Sequence, residues 1–271
     1  GNGTMLLMES NNGSNQTAIG HIQDDGTSAH MAFYTELSGT FSEKMRIQHD
    51  GKIGINTNSP ESLVHIIGTV DDPLTSGTTS YGTMTVETNG SQLAMGSYES
   101  SPFDFYLQAS TASDLSSFRN LKLNPVGGNV VMPKQPAFCV KGTSVEDTNA
   151  NSSTHLVAFG TEIFDQGGNY ASNTFTAPVT GKYQLNLNLA MTDIDTGASY
   201  IRIDIVTSNR TYINIIVDPN FSADLSYMGG TLSVLADMDA SDTATVGINI
   251  GGGASITNIT NNSIFSGFLA C

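Results

Sequence analysis

The stretch GKYQLNLNLA, residues 181–190, alternates apolar and polar side chains without a break. Successive side chains of a β-strand point to opposite faces, so this pattern predicts a strand with one buried face and one polar face. The same period of two recurs in YIRIDIV (200–206) and TVGINI (245–250). Since no long stretch shows the apolar spacing of an amphipathic helix, the sequence predicts an all-β protein.

The composition excludes several classes of function. The chain has 271 residues, enough for one large or two medium domains, and its charged fraction is 13%, against about 25% in an average globular protein. Ten Lys and Arg against 25 Asp and Glu give a net charge of −15, so a nucleic acid is not a predicted partner. No apolar run approaches the roughly 20 residues of a membrane span, and no membrane insertion is predicted.

The two cysteines, Cys139 and Cys271, are too few for a disulfide framework and lack the spacing of a CxxC metal knuckle. They fall on strands predicted to be neighbours, which leaves a disulfide within or between chains and two reduced thiols equally open.

The chain starts at Gly1 inside an apparent strand unit, GTMLLMES, without a signal-peptide pattern. This start predicts a piece of a longer protein.

The chain repeats itself before residue 136, with a period of about 76 residues. Four segments of a first copy recur in the same order in a second: GTMLLMESNNG (3–13) as GTMTVETNG (82–90), AIGHI (18–22) as AMGSY (94–98), AFYTE (32–36) as DFYLQ (104–108), and KMRIQHDGKIGIN (44–56) as NLKLNPVGGNVVM (120–132). Each copy has too few large apolar residues to close a core alone. The pattern therefore predicts stacking on neighbouring repeats or association with other chains.

Residues 45–56 are predicted to form two strands, 45–49 and 52–56, joined at Asp50-Gly51, a dipeptide suited to a tight turn. The counterpart at 121–132 is predicted to lead into the next domain. From Pro136 onward the strands lengthen, and turn signals recur at intervals typical of a β-sandwich. The predicted domains are therefore a first β-repeat at 1–63, a second at 64–135 and a sandwich at 136–271.

The sandwich carries a spaced signature. Phe159, Asp165 and Tyr170 are followed by F-x5-G-x-Y-x-L-x-L, which comprises Phe175, Gly181, Tyr183, Leu185 and Leu187. This signature and the ending FSGFLA (265–270) resemble the complement globular-head family, relatives of tumour necrosis factor. Two departures are a spacing between Tyr170 and Phe175 that is two residues short, and Leu where the last two aromatics are usual. The resemblance implies a ten-strand jelly roll that assembles as a homotrimer.

The N-terminal half resembles repeats from bacteriophage tail fibres. Residues 46–60 fit the pattern R-I-x-x-D-G-x-I-G-I-x-T-x-x-P, and residues 121–130 fit L-x-L-N-P-x-G-G-x-V. Fibre repeats leading into a trimeric head imply the distal part of a phage tail fibre or receptor-binding protein. The implied location is the virion, with upstream fibre or tail proteins as neighbours.

In a jelly roll, successive strands run in opposite directions, so the loops alternate between two ends. Strands are predicted at 136–142, 182–191, 199–206, 211–217, 228–237, 243–250 and 263–270, with the last pairing with the first. Loops 192–198, 219–227 and 251–262, with 143–153, then form a tip, while 207–210 and 238–242 lie at the other end. Because recognition residues favour loops on a rigid scaffold, the predicted receptor-binding residues are Asp193, Asp195, Thr196, Asn220, Asp224, Thr257, Asn258, Asn261 and Asn262.

Metal and catalytic chemistry have less support in the sequence. Asp193 and Asp195 place two carboxylates in one predicted turn, which suits Ca²⁺, although an ordinary Asp/Gly turn explains the same residues. The scattered histidines do not show transition-metal spacing. No positioned acid/base pair is apparent, so no catalytic residue is assigned and the protein is predicted not to be an enzyme.

The sequence therefore predicts a trimeric fibre part whose head attaches to a host-surface glycan or outer-membrane protein. Two alternatives remain open at this point. One is a structural or adhesive fibre component without receptor binding. The other is a tailspike that cleaves polysaccharide with paired carboxylates.

Overall fold

A computed structural model describes residues 3–10, 16–23, 25–78, 82–145, 153–217 and 222–271. Every regular element within these residues is a β-strand, so the predicted all-β class is confirmed. The chain divides into two compact units, residues 1–128 and 129–271. The domain boundaries at 63/64 and 135/136 stay predictions.

The first sheet of the N-terminal unit has six strands in chain order, from β1 to β6. They are β1 Gly3–Glu9, β2 Gln16–Gln23, β3 Ala29–Leu37, β4 Thr40–Ile47, β5 Ile53–Ile55 and β6 Val64–Ile66. Neighbouring strands pair antiparallel except β5 and β6, which are parallel. Each strand lies beside the strand before it, which makes the sheet a single-layer meander.

The hairpin predicted at 45–56 is present, formed by the end of β4, which begins earlier than predicted, and by the shorter β5. Met45 pairs with Ile55, and Ile47 pairs with Ile53. Gly51 has a φ of +87°, which glycine adopts without strain, and its N–H donates to the Gln48 carbonyl at 2.9 Å. The predicted tight turn at Asp50-Gly51 is therefore the one observed.

The second sheet of this unit has four antiparallel strands: β7 Met84–Thr88, β8 Ser91–Ser97, β9 Phe105–Thr111 and β10 Asp114–Phe118. The three shorter predicted matches fall on corresponding strands of the two meanders, namely β1 and β7, β2 and β8, and β3 and β9.

The fourth match was wrong as a structural equivalence, because residues 119–136 contain no strand. Pro125 has no N–H to donate to a strand ladder. Asn124, Gly127 and Gly128 have φ values of +50°, +130° and +95°, which strand residues do not adopt. The local sequence of 121–132 therefore prevents the hairpin that its likeness to 45–56 predicted.

The C-terminal unit is a sandwich of two sheets. Its strands are β11 Ala137–Lys141, β12 His155–Leu156, β13 Thr161–Gln166, β14 Tyr170–Ala171, β15 Thr174–Thr176, β16 Gly181–Thr192, β17 Ala198–Thr207, β18 Thr211–Val217, β19 Met228–Met238, β20 Thr243–Gly252, β21 Asn258–Ile259 and β22 Ile264–Leu269. One sheet has the order β13-β11-β22-β16-β19 with β21 beside β16, and the other has β14-β15-β20-β17-β18 with β12 beside β20. The predicted strands and the pairing of the last strand with the first are confirmed.

The core between these sheets centres on stacked aromatic rings. The Phe138 ring lies 4.6 Å from Phe175 and 5.1 Å from Phe265, measured between ring centroids, and Phe175 lies 5.4 Å from Tyr183. Phe159 is also buried against Phe265. The aromatic positions of the signature therefore meet in one cluster, which explains their spacing along the chain.

Two further signature residues shape the backbone. The Asp165 carboxylate accepts the N–H groups of Asn169 at 3.0 Å and of Tyr170 at 2.8 Å, which fixes the turn after β13. At Gly181 an added Cβ would lie 2.6 Å from Leu269 Cδ1 and 2.8 Å from the Cys271 carbonyl oxygen. Glycine is therefore required there by the close approach of the chain end, rather than by turn geometry.

Candidate functional site

One end of the sandwich gathers three of the loops predicted to form a tip. β16 ends at Thr192, which pairs with Asn258, and β19 begins at Met228, which pairs with Met191. The other end brings Asn209 next to Asp242, with Asn209 Nδ2 donating to Asp242 Oδ2 at 2.8 Å. The loops are therefore sorted between the two ends of the sandwich as the jelly-roll topology predicts. We call residues 193–197, 222–227 and 251–258 the tip loops.

The loop between β16 and β17 is anchored by an apolar residue. The Ile194 side chain is fully buried, while Asp193 before it is exposed and has a φ of +56°. Ile194 and Leu225 exchange two backbone hydrogen bonds, of 3.0 and 2.9 Å. This small bridge ties the first tip loop to the second.

The carboxylates of the tip mostly bind backbone and amide groups of the neighbouring loops. Asp195 Oδ1 accepts the Gly197 N–H at 2.5 Å, and Asp224 Oδ1 accepts the Thr196 N–H at 3.0 Å. Asn258 Nδ2 donates to Asp193 Oδ2 at 2.7 Å, which links the first and third tip loops. Two of these bonds join the first tip loop to the second and third, while the Asp195 bond lies within the first tip loop, so the three bonds form a group only through the shared backbone of residues 193–197.

The other predicted site residues lie outside this group. The Thr257 side chain is only 2% exposed and packs inside the unit. Asn261 and Asn262 are exposed, but they lie in the turn before β22, where the Ser263 carbonyl accepts the Gly142 N–H at 2.7 Å. Asn220 lies outside the described residues.

Tyr227 is a tip residue that the sequence analysis did not select. Its side chain is 81% exposed at the end of the second tip loop, directly before β19. Exposed tyrosines are enriched in recognition surfaces because they add a large contact area with few rotatable bonds. Its place between a polar loop and an alternating strand is the signal that could have identified it.

The described part of the chain has no group of three or more His, Cys, Asp or Glu residues placed to hold a metal ion. Asp193 and Asp195 each have one carboxylate oxygen engaged by a protein donor. Calcium binding by these two residues stays a prediction, to be tested by the change in Tm on adding calcium.

Both cysteines are free thiols in the structure. Cys139 lies on β11 and is paired with Ser266, whereas Cys271 is exposed beyond the end of β22. Partial burial raises the pKa of the Cys139 thiol, which lowers its reactivity.

Two facing antiparallel sheets with this strand order, closed over an aromatic core, define a C1q/TNF-like jelly roll. Residues 137–270 match the family model of the C1q domain, so the C-terminal half of the chain is a C1q-type domain. Domains of this type are typically extracellular binding modules rather than enzymes.

Solved structures that are similar to this chain include the following two. The globular domain of zebrafish complement 1qA protein is 16% identical, with 51% of this chain and 98% of that chain covered and a TM-score of 0.38. Murine APRIL is 12% identical, with 50% and 99% covered and a TM-score of 0.38. No curated protein sequence matches the chain. Across the described residues, a search for helices able to cross a membrane finds none.

Proposed function

We propose that this chain is the distal part of a trimeric bacteriophage tail fibre, in which the C1q-type domain is a head that attaches to the host cell surface. The observation that carries the proposal is the tip. Three loops are held together by hydrogen bonds on a closed sandwich, and they present Asp193, Thr196, Asp224 and Tyr227 to solvent. Polar loops fixed on a rigid scaffold are suited to recognising a glycan or a protein surface.

The trimer is supported by the family and by one face of the head. C1q-type domains typically form trimers. The sheet that contains β11, β22, β16 and β19 turns Phe164, Leu235 and Phe268 outward, and these side chains are about half exposed, at 50%, 56% and 47%. Large exposed apolar groups on one sheet face are typical of an interface.

The N-terminal unit supports the shaft part of the proposal through its fibre-type patterns at 46–60 and 121–130. In this assembly the two meanders hold the head away from the particle, and upstream fibre or tail proteins continue the shaft. Three tips around one axis convert weak single contacts into avidity. The sites of attachment would be a host glycan or an outer-membrane protein.

The proposal is tested by binding the full chain to host glycans and outer-membrane extracts, followed by tip variants. We expect the triple variant Thr196→Ala, Asp224→Ala, Tyr227→Ala to lose at least about tenfold in affinity, because hot-spot side chains dominate such contacts. Its matched control is the pair Asn209→Ala and Ser241→Ala at the opposite end of the sandwich, which should bind as the parent chain does. Point variants are preferable to deleting loop 251–262, because Thr257 and Ile259 in that loop are buried.

The same experiment separates the alternatives. Equal binding by the tip variant and the control would contradict the tip assignment, and trimer formation by light scattering must persist in both. A trimer that binds no host surface would be a structural or adhesive fibre component. Shortening of a surface polysaccharide during incubation would identify a depolymerase.

A further inference from the structure

The first sheet of the N-terminal unit has one apolar face whose large side chains are exposed in the described part of the chain. Residues paired across β1 to β6 share this face, so Leu6, Ile19, Phe33, Met45 and Ile55 form a row across the sheet. The large apolar side chains on this side include Leu6 at 65% exposure, Met31 at 49%, Val64 at 55%, Met8 at 48%, Ile19 at 37%, Ile47 at 36% and Ile55 at 36%. We call this side of the sheet the open face.

The open face also lacks formal charge along its paired rows. The rows through Thr4, Leu6 and Met8 contain His21 as their one titratable residue and no Asp, Glu, Lys or Arg. This is unusual in a chain with 25 acidic residues and a net charge of −15. Selection for solubility alone would place charge on an exposed sheet face.

The opposite side of the same sheet is covered by its own side chains over β2 to β4, while Met5 and Leu7 of β1 are exposed there. Arg46 and Glu43 form a two-bond ion pair at 2.5 and 2.7 Å, and the Glu43 carboxylate accepts the Tyr34 hydroxyl at 3.3 Å. Tyr34 stacks on Phe41 at 5.3 Å and lies over Gly20, where an added Cβ would approach the ring to 3.3 Å. Ala18 and Ala32 beneath this layer are almost completely buried.

The second sheet repeats the same two-sided arrangement. Met84, Val86, Leu107 and Phe105 are on one side, at 40%, 49%, 48% and 67% exposure, and this side is the open face of the second sheet.

The other side of the second sheet is covered by residues 71–77. The Gly77 carbonyl accepts the Leu115 N–H at 2.9 Å, and the Ser97 carbonyl accepts the Asp71 N–H at 3.0 Å. Tyr106 lies over Gly96 as Tyr34 lies over Gly20. The second sheet thus also leaves an apolar face exposed, with Asp114 at its edge, where it pairs with Thr111, as the charged residue on that side.

We infer that the two open faces are the surfaces through which copies of this chain pair along the shaft, an inference that rests on the proposed trimeric fibre. Seven large apolar side chains of the first open face are between 36% and 65% exposed, and burying such a face against a partner would contribute to the roughly 800 Å² that each partner buries in a stable interface. A second copy fits because two neutral apolar faces can pack together without burying an unpaired charge. A charged partner would find no group of opposite charge on this face. We therefore assign a second copy of this chain as the partner.

The test is cysteine cross-linking of the full chain in a Cys139→Ser, Cys271→Ser background. Leu6→Cys and Leu107→Cys place thiols on the two open faces. Their matched controls are Leu7→Cys and Gln108→Cys, which are adjacent on the same strands and face the opposite side. Under mild oxidation we expect disulfide-linked chains from the open-face variants, at yields at least about fivefold above the controls.

Three outcomes would overturn the inference: equal cross-linking on both faces, no cross-linking at the open faces of an intact trimer, or a monomer by light scattering. A second measurement is the variant Leu6→Asp, which should expose the N-terminal unit to protease while Leu7→Asp, at 44% exposure on the opposite side of the same strand, does not. Host binding is measured on the same samples. If the open-face cysteine variants form cross-links but the chain does not bind the host, only the proposed attachment function is contradicted. If the chain is a trimer that binds the host but forms no cross-links at the open faces, only the assignment of these faces is contradicted.

Discussion

The two units of the chain bury apolar surface in different ways. In the C-terminal unit two sheets face each other, and rings such as Phe138, Phe175 and Phe265 are almost fully buried between them. In the N-terminal unit each sheet is a single layer with one face covered by its own chain and one face open. The sandwich therefore completes a core within one chain, whereas the meanders leave large apolar side chains exposed.

The strands of the two units also differ in whether one face of the strand is polar. GKYQLNLNLA places Gln184, Asn186 and Asn188 on the face opposite the core, so one side of β16 is polar. GTMLLME has apolar residues at successive positions, Met5 to Met8, and every residue of β1 is exposed. A strand that is apolar on both sides is suited to burial on both sides, and a single chain does not provide that burial here.

The largest effect is expected from removing a ring from the closed core of the C-terminal unit. Phe265→Ala removes a fully buried ring that contacts Phe138 and Phe159, and we expect it to lower the free energy of unfolding of the C-terminal unit by about 3–5 kcal/mol. The matched control is Phe118→Ala in the N-terminal unit, where the ring is 62% exposed. Urea unfolding followed by near-ultraviolet circular dichroism measures both, and a similar loss in the two variants would contradict a self-sufficient sandwich core.

A smaller effect is expected from overfilling the same core. An added Cβ at Gly267 would lie 2.7 Å from Leu185 Cδ2 and 2.8 Å from Phe138 Cε1, so Gly267→Ala should cost about 1–3 kcal/mol of stability. At Gly229 the nearest atom to an added Cβ, the Leu189 carbonyl oxygen, is 4.0 Å away. Gly229→Ala should therefore be close to neutral in the same unfolding measurement. A larger loss for Gly229→Ala than for Gly267→Ala would show that strand geometry, rather than core space, sets the cost.

The smallest effect is expected at the exposed edge of the sandwich. The Asp237 carboxylate on β19 forms an ion pair with the Lys182 ammonium on β16. The hydrogen bond that the Lys182 ammonium donates lowers the pKa of the Asp237 carboxyl. A carboxyl with a lowered folded pKa adds stability above its unfolded pKa of about 3.9, and this stability is lost as the pH falls through the folded value. Asp237→Asn should therefore lower Tm slightly at pH 5–7, and the difference from the parent should close below about pH 4.

Lys182→Gln provides the control for this pair, since removing either partner should have the same small effect and removing both should add little. A Tm difference that did not shrink as the pH fell below about 4 would contradict the role assigned to the Asp237 charge, because protonation progressively removes that charge from the parent chain.

Much of the sandwich could be predicted from the sequence, because its strands have one polar and one apolar side. The predicted strand at 211–217 matches β18, and the pairing of 263–270 with 136–142 is that of β22 with β11. The family signature located the aromatic core through residues such as Phe175 and Tyr183. The alternation of polar and apolar residues and the spaced signature were sufficient to predict this unit, because its apolar positions are the ones that are buried.

The tip and the meanders were harder to predict. Thr257 looks like any small polar loop residue, and only the three-dimensional packing shows that it is buried. Tyr227 stands beside a strand in the sequence, and its exposure depends on where the second tip loop ends. The segment 121–132 resembles 45–56 in composition, but Pro125 and the glycines after it exclude the hairpin. Burial and positive φ depend on tertiary context and on single residues, which an average pattern does not capture.

The position of β11 has a mechanical consequence. It is the strand by which the chain enters the sandwich, and it lies between β13 and β22, with hydrogen-bonded ladders on both sides. A force that enters at Ala137 and acts along the strand therefore loads both ladders in shear, so that their bonds share the tension. Peeling would instead break these bonds one at a time. In the proposed attachment through the tip loops, the entry strand would thus lie in the geometry that resists traction best.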